Sequence, residues 1–454
     1  MKTTLIRTLS LRDLTLLIIG LVIGSGIFLV PGRVLREVHG SIGVSLLVWL
    51  AGGVLSLLGA LTYGELSAAH PRAGGLYVYI RDCFGRLPAF LFGWTLFVAI
   101  SGGSVATLAA AFSNYVGEFY TLNDFTAILV RIAMIAVVTV VNVWGTRKSA
   151  DLQNWTTGIK VGAILVMSVI LFWGGNGFSE TGSVWPDQVD ASLASGFGVA
   201  MISVLWAYEG WQYGTYSAGE TINPQKNFPR AFLVGTAVLI GLYMLANVAY
   251  LAALGPIKAA ATDRIASTSV AAIVNTGAAK LVAIAILISI FSATNSTSLT
   301  SPRVFYAMAQ DGLFFKKLAE VHPRFGTPAF AIITSSIWSA MLACVGTFQQ
   351  LLDYVVFTGW IFYALGAACV FVYRKRMEGE KPAYQVPGYP WTPLLFILSA
   401  GALVANTIIA KPGDALKGLA MMLLGVPVYL FWRGINKDAE QSPELTEPAE
   451  EPLE

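Results

Sequence analysis

The sequence predicts an all-α membrane protein of twelve transmembrane helices, built as a five-plus-five inverted repeat in which helices 1 and 6 are broken. Three observations predict it: the composition, the recurrence of apolar stretches, and two polar interruptions five stretches apart. Of 454 residues, 56% are hydrophobic and 12% are charged, against ~25% charged in ordinary soluble domains. Apolar stretches long enough to cross a ~30 Å hydrocarbon core recur along almost the whole chain.

The twelve stretches fall at roughly 11–36, 41–69, 86–117, 124–143, 155–175, 194–217, 230–254, 278–308, 328–346, 350–374, 393–410 and 414–432. The first follows Lys2, Arg7 and Arg12, a basic start like that of a signal peptide. It runs on through Pro31 without a small-x-small cleavage site, so it reads as a span. His70-Pro71-Arg72 closes the second and His322-Pro323-Arg324 precedes the ninth, where proline limits helix extension. Twelve Trp and 17 Tyr, many near span ends, fit interfacial belts. Residues 1–435 read as one membrane domain, with repeat one at about 11–175, repeat two at about 194–374 and two added spans at about 393–432. Residues 436–454 read as a disordered acidic tail.

Charge orients the chain. With the N-terminus in the cytoplasm, inside loops and termini hold 20 Lys+Arg and outside loops hold 7, while Arg131 and Lys160 lie within spans. This bias predicts a multi-pass protein of the cytoplasmic (plasma) membrane with both termini inside. The basic loops answer to lipid and topology, not to nucleic acid. Three Cys (83, 344 and 369) lack CxxC spacing and three His (39, 70 and 322) sit near span ends. No metal, thiol chemistry or cofactor is expected, and neither GxSxG, HExxH nor GxxxxGK[ST] occurs, so an enzyme is not expected.

The decisive stretch is "GLVIGSGIFLV" at 20–30. Its centre, Gly24-Ser25-Gly26, is a poor helix former, at ~1 kcal/mol per Gly relative to Ala. Span six carries the counterpart, Glu209-Gly210, within "SVLWAYEGWQYGTYSAGE". Glycine also serves close helix packing in membranes. Interrupted helices at matching positions of two halves are the pointer to an inverted-repeat transporter, with its ligand where both unwind.

Four stretches carry a resemblance: "GSGIF" (24–28), "HPRAGGLYVYIRDCFGRLPAFLFGW" (70–94), "WAYEGWQYGTYSAGETINPQKNFPRA" (206–231) and "TNSTSLTSPRVFYAMAQDG" (294–312). They resemble the L-type amino acid transporter family of the amino acid–polyamine–organocation (APC) superfamily. The resemblance covers spans 1–10 and is densest at spans 1 and 6. It implies secondary active amino acid transport by alternating access, with sodium-independent exchange first. A proton-coupled symporter or uniporter, or a transporter-like amino acid sensor, is the alternative.

In that setting a broken helix supplies both ligands of a zwitterion. Amides opening the second half-helix suit a carboxylate, and carbonyls closing the first suit an ammonium. The carboxylate is expected on the amides of Ser25, Gly26 and Ile27, with Gly24 and Gly26 admitting the substrate to the main chain. The resemblance places the ammonium on carbonyls of Ile23, Trp206, Ala207 and Glu209, and makes Trp206 an aromatic gate.

Lys160 is a lone ammonium in span five, costing ~2.5–3.5 kcal/mol at mid-span unless it snorkels to the interface. The resemblance gives it a position between spans one and eight, as a fixed substitute for the sodium ion of sodium-coupled relatives. Glu209 departs from the family, which commonly has a small residue there. Three readings stay open: it pairs with a cationic substrate side chain, carries a proton, or is held by Lys160 or a neighbouring polar group. Gln212 and Tyr213 are candidates for the side-chain pocket. Tyr243 on span seven and Asn295 on span eight match family residues. Each serves equally as an interhelical hydrogen bond of ~0.6 kcal/mol. Glu65 and Arg303 lie toward cytoplasmic ends and suit gate or loop ion pairs. The family's animal members bind a glycoprotein through a Cys after span three. Here that loop, "VGEFYTLND", has none, so no disulfide-linked accessory subunit is expected. The partners expected are the amino acid substrate and membrane lipid.

Overall fold

Lipid offers the backbone no hydrogen-bond partners, so a spanning chain must satisfy its amides within helices. The computed structural model describes residues 7–180, 184–186, 188, 190–345, 348–376 and 383–435, and among them it is helix joined by short turns. The expected acidic tail, 436–454, lies outside the described residues. Span 1 is Leu11–Val22 and Gly26–Glu37, two helices bent by 43°. Spans 2 to 5 are Ile42–Ala69, Arg86–Val116, Asp124–Val143 and Thr146–Gly174. Span 6 is Ala191–Ala207 followed, after a turn at 208–210, by a 3₁₀ stretch Trp211–Glu220. Span 7 is Pro224–Ala260 and span 8 is Thr276–Gln310. Span 9, Ala329–Val345, is a shorter apolar helix. Spans 10 to 12 are Phe348–Arg376, Trp391–Ala410 and Pro412–Gly434.

These occupy the twelve expected stretches. Span 5 starts well before residue 155, because its first turns carry polar Arg147, Asp151 and Asn154, which apolar patterning does not count. Arg147 and Asn154 are used against Asp13 of span 1, at 2.9 and 2.6 Å. Helix starts follow local chemistry: Ser10 and Asp13 form a capping box, and Asn123, Asp190 and Asn275 each accept an amide of the first turn.

The halves of the two broken spans are neighbours. Leu11–Val22 packs on Trp211–Glu220, and Gly26–Glu37 packs on Ala191–Ala207. Each half thus lies beside the opposite half of the other span, as two antiparallel broken helices must. Spans 2 and 7, 3 and 8, and 4 and 9 also pack in pairs. Together they leave a cavity at the breaks.

The two ends of that cavity are closed differently. At the end bearing the N-terminus, Arg303 and Glu220 are both buried and paired at 2.8 Å. Thr146 donates to Glu220 at 2.9 Å, and the Thr8 and Leu9 amides both donate to the Glu220 carbonyl at 2.9 Å. At the other end, Arg36 pairs with Asp263 and Arg264 with Glu118, each at 2.5 Å and partly exposed. Exposed pairs contribute ~0–1 kcal/mol, whereas breaking a buried pair costs ~3–5 kcal/mol. The terminus-bearing end is the firmer seal. Glu65, the other expected ion-pair residue, accepts both arms of Arg374 at 2.7 Å and the Val386 amide at 2.6 Å.

Candidate substrate site at the paired breaks

A cavity of about 30 Å³ lies between the breaks. Span 1 lines it with Leu21, Val22, Gly24, Ser25 and Gly26, and span 6 with Trp206, Glu209, Gly210 and Tyr213. Span 3 adds Ser104 and Leu108, and span 8 adds Ala293 and Thr297. Span 3 is the one span among these that the sequence reading did not assign to the site.

The glycine at each break has its own reason. A side chain at Gly26 would place Cβ 2.6 Å from both Cα and Cβ of Ala207, so the two breaks touch through this residue. Gly210 has φ +124°, a conformation L side chains rarely adopt, and its Cβ would lie 3.0 Å from the Leu21 carbonyl. Neither Gly24 nor Gly26 has a positive φ. Close approach, and not a positive φ, is what span 1 needs from glycine.

Polar groups follow from this geometry. Ser25 caps the second half of span 1 without a side-chain bond to it, so the first amides of that half have no acceptor within the helix. Ser25 and Gly26 present this positive helix end to the cavity. Ile27 is buried just beyond it. The hydroxyls of Ser25, Ser104 and Tyr213 are buried there without hydrogen-bond partners among the described residues.

The carbonyl side differs from expectation. The Ile23 carbonyl accepts from the Lys160 ammonium at 2.7 Å and from Ser289 at 3.1 Å, so both lone pairs are occupied. The Gly20 carbonyl accepts from Lys160 at 2.7 Å. Lys160 is 0% exposed, which excludes snorkelling in this conformation. The Tyr243 hydroxyl sits 3.0 Å from the Val22 carbonyl and 2.9 Å from that of Ala207. Its single proton serves one at a time, bridging the two breaks. The Trp206 carbonyl accepts the Glu209 amide at 3.0 Å, and Trp206 is among the residues that line the cavity.

Glu209 is held by neighbours, and not by Lys160. Its Oε1 accepts from Tyr363 of span 10 and from Gln212, both at 2.5 Å. The Gln212 Oε1 in turn accepts the Gly210 amide at 3.3 Å. Gln212 therefore stitches the break and does not line the cavity. Asn295 also departs from its expected place. It joins spans 4, 5 and 8 by bonding Asn142 at 2.9 Å and Ser149 at 3.2 Å, on the side of span 8 away from the cavity. One turn of helix puts Ala293 and Thr297 on the cavity face and Asn295 opposite.

A family model for amino acid permeases matches residues 9–432. The chain belongs to the amino acid permease family. The permease is 31% identical to the serine/threonine exchanger SteT of Bacillus subtilis, over 91% of this chain and 94% of that protein. It is 30% identical to the mouse b(0,+)-type amino acid transporter 1, over 99% and 95%. The rat large neutral amino acids transporter small subunit 2 is 31% identical, over 92% of this chain and 79% of its own. The permease is thus a multi-pass membrane transporter and not an enzyme.

Proposed function

We propose that the permease exchanges amino acids by alternating access without sodium, the two spans rocking about the paired breaks. The observation that carries this is the Lys160 ammonium on the Gly20 and Ile23 carbonyls, a fixed positive charge where unwound backbone would otherwise call for a cation. Exchange, rather than uniport, is the activity named in the serine/threonine exchanger relative. The carboxylate site is the amide end at Ser25, Gly26 and Ile27. The ammonium site then falls to the carbonyls of Leu21, Ala207 and Glu209, since those of Ile23 and Trp206 each accept two hydrogen bonds already. The lining hydroxyls of Ser25, Ser104, Tyr213 and Thr297 favour neutral amino acids with short polar side chains, in accord with that relative's name.

Glu209, already accepting two hydrogen bonds, acts in this reading as a holder of the span 6 turn. Glu209→Gln keeps an oxygen for both donors, and neutral amino acid exchange should stay within about threefold of wild type. A tenfold loss confined to cationic substrates would make it a substrate ligand instead. We place the permease in the plasma membrane with both termini cytoplasmic. With no Cys in the loop after span 3, it acts without a disulfide-linked partner.

The test is uptake of labelled amino acids into proteoliposomes, with and without internal unlabelled amino acid, and with sodium or a proton gradient varied. Uptake should require internal substrate, ignore sodium and ignore the gradient. Uptake into empty vesicles that follows the gradient would make the permease a proton symporter.

A further inference from the structure

A second, larger cleft opens on the outer side of spans 1 and 5, about 760 Å³, and shares no lining residue with the cavity at the breaks. It lies at the membrane face that carries the N-terminus, where span 1 starts at Leu11 and span 5 at Thr146. Its mouth is charged and its floor is not: Arg12, Arg147 and Asp151 stand above Trp155, Gly158 and Ile159. Helix geometry puts Gly158 about 18 Å deeper than Thr146, at 1.5 Å per residue.

We propose that this cleft binds a phospholipid with an ethanolamine headgroup. Arg147 is shared by two carboxylates, pairing with Asp13 at 2.9 Å and also with Asp151. Asp13 is buried and saturated by Ser10, Arg147 and Asn154. The surplus negative charge therefore rests at Asp151, whose side chain is 55% exposed. Arg12 is exposed and makes no ion pair or hydrogen bond with the described residues. One cation and one surplus anion at a single mouth match a zwitterion: phosphate on Arg12, ammonium at Asp151.

The floor selects the rest of the ligand. A Cβ at Gly158, or at Gly162 one turn on, would meet nothing within 4 Å. Trp155 is 77% exposed beside them and Ile159 46%. An open apolar face running from a zwitterionic mouth toward the membrane centre fits an acyl chain beneath its headgroup. A choline headgroup has no N–H to give Asp151, and an anionic glycerol headgroup meets the surplus carboxylate unfavourably. A lipid seated there braces the first half of span 1 against span 5 at the Asp13–Arg147 contact.

The test is native mass spectrometry of the full-length permease from nanodiscs holding equal parts of phosphatidylethanolamine, phosphatidylcholine and phosphatidylglycerol. One phosphatidylethanolamine should stay bound at least fivefold in excess over either other lipid. Arg12→Gln and Asp151→Asn should each cut that retention fivefold or more, and so should Gly158→Leu, which fills the open face without touching the charges. Soluble phosphoethanolamine should not displace the lipid. Equal retention of the three lipids, or unchanged retention in well-folded Arg12→Gln and Gly158→Leu proteins, would overturn the proposal. Displacement by soluble phosphoethanolamine would overturn the lipid assignment and leave a soluble phosphate zwitterion as the ligand.

Discussion

Lys160→Ala will lower amino acid exchange at least ~30-fold while the permease still folds and reaches the membrane. The ammonium holds the Gly20 and Ile23 carbonyls, both at 2.7 Å, on either side of the residues where span 1 begins to unwind. Hydrogen bonds to a charged group contribute ~1.5–3 kcal/mol each, and a buried carbonyl left without a donor costs ~1–3 kcal/mol. Only ~2 kcal/mol of this needs to appear as a lost transport-competent bend to give ~30-fold, at ~1.36 kcal/mol per tenfold. Global unfolding is not expected, because the bulk of span 5 and its Thr157 and Gln153 contacts remain. Lys160→Met separates charge from packing: it keeps an apolar stem of similar length and should be as inactive as the alanine variant. Sodium should restore part of the exchange in Lys160→Ala and none in Lys160→Met, whose side chain occupies the space. The measurement is exchange in proteoliposomes normalised to folded protein. Wild-type turnover in the alanine variant would end the argument for Lys160.

The architecture was legible because hydropathy is nearly all that decides whether a stretch crosses lipid. The breaks were legible because glycine and a carboxylate are both expensive inside such a stretch. What stayed hidden was rotation about each helix axis. Spans 3 and 10 carry no single polar stripe, so residue pattern alone does not mark Ser104 as facing the breaks. A tyrosine at mid-span, away from any interfacial belt, is the one signal Tyr363 gave. Asn295 shows the same limit: it and Thr297 are two residues apart, and residue type alone does not say which of them meets the cavity. Ile23 shows another. A carbonyl exposed by unwinding is available to substrate only if no side chain reaches it first, and Lys160 and Ser289 come from spans far away in sequence.

Gly26→Val will abolish measurable substrate binding, and the reason is the contact between the two breaks. The Cβ alone would lie 2.6 Å from the Ala207 Cα, a distance that real side chains do not adopt against backbone. Valine adds two γ-methyls with one stiff χ1, so the second half of span 1 must move away from span 6. Overpacking of this kind costs ~1–3 kcal/mol, which the permease tolerates as a fold. The site does not tolerate it, because the displaced groups are the Ser25 and Gly26 edge that lines the cavity. Tyr243 would also lose its simultaneous reach to the Val22 and Ala207 carbonyls, now 3.0 and 2.9 Å away. Binding to purified protein should fall at least ~100-fold, with expression and elution unchanged. Gly24→Ala is the matched control, since its Cβ would meet only side-chain atoms, Leu108 at 3.3 Å and Ala293 at 3.5 Å. Those side chains can give by a few tenths of an ångström, so affinity should fall by no more than about fivefold. If Gly26→Val binds within threefold of wild type while Gly24→Ala does not, the substrate meets span 1 before its break and not on the amides after it.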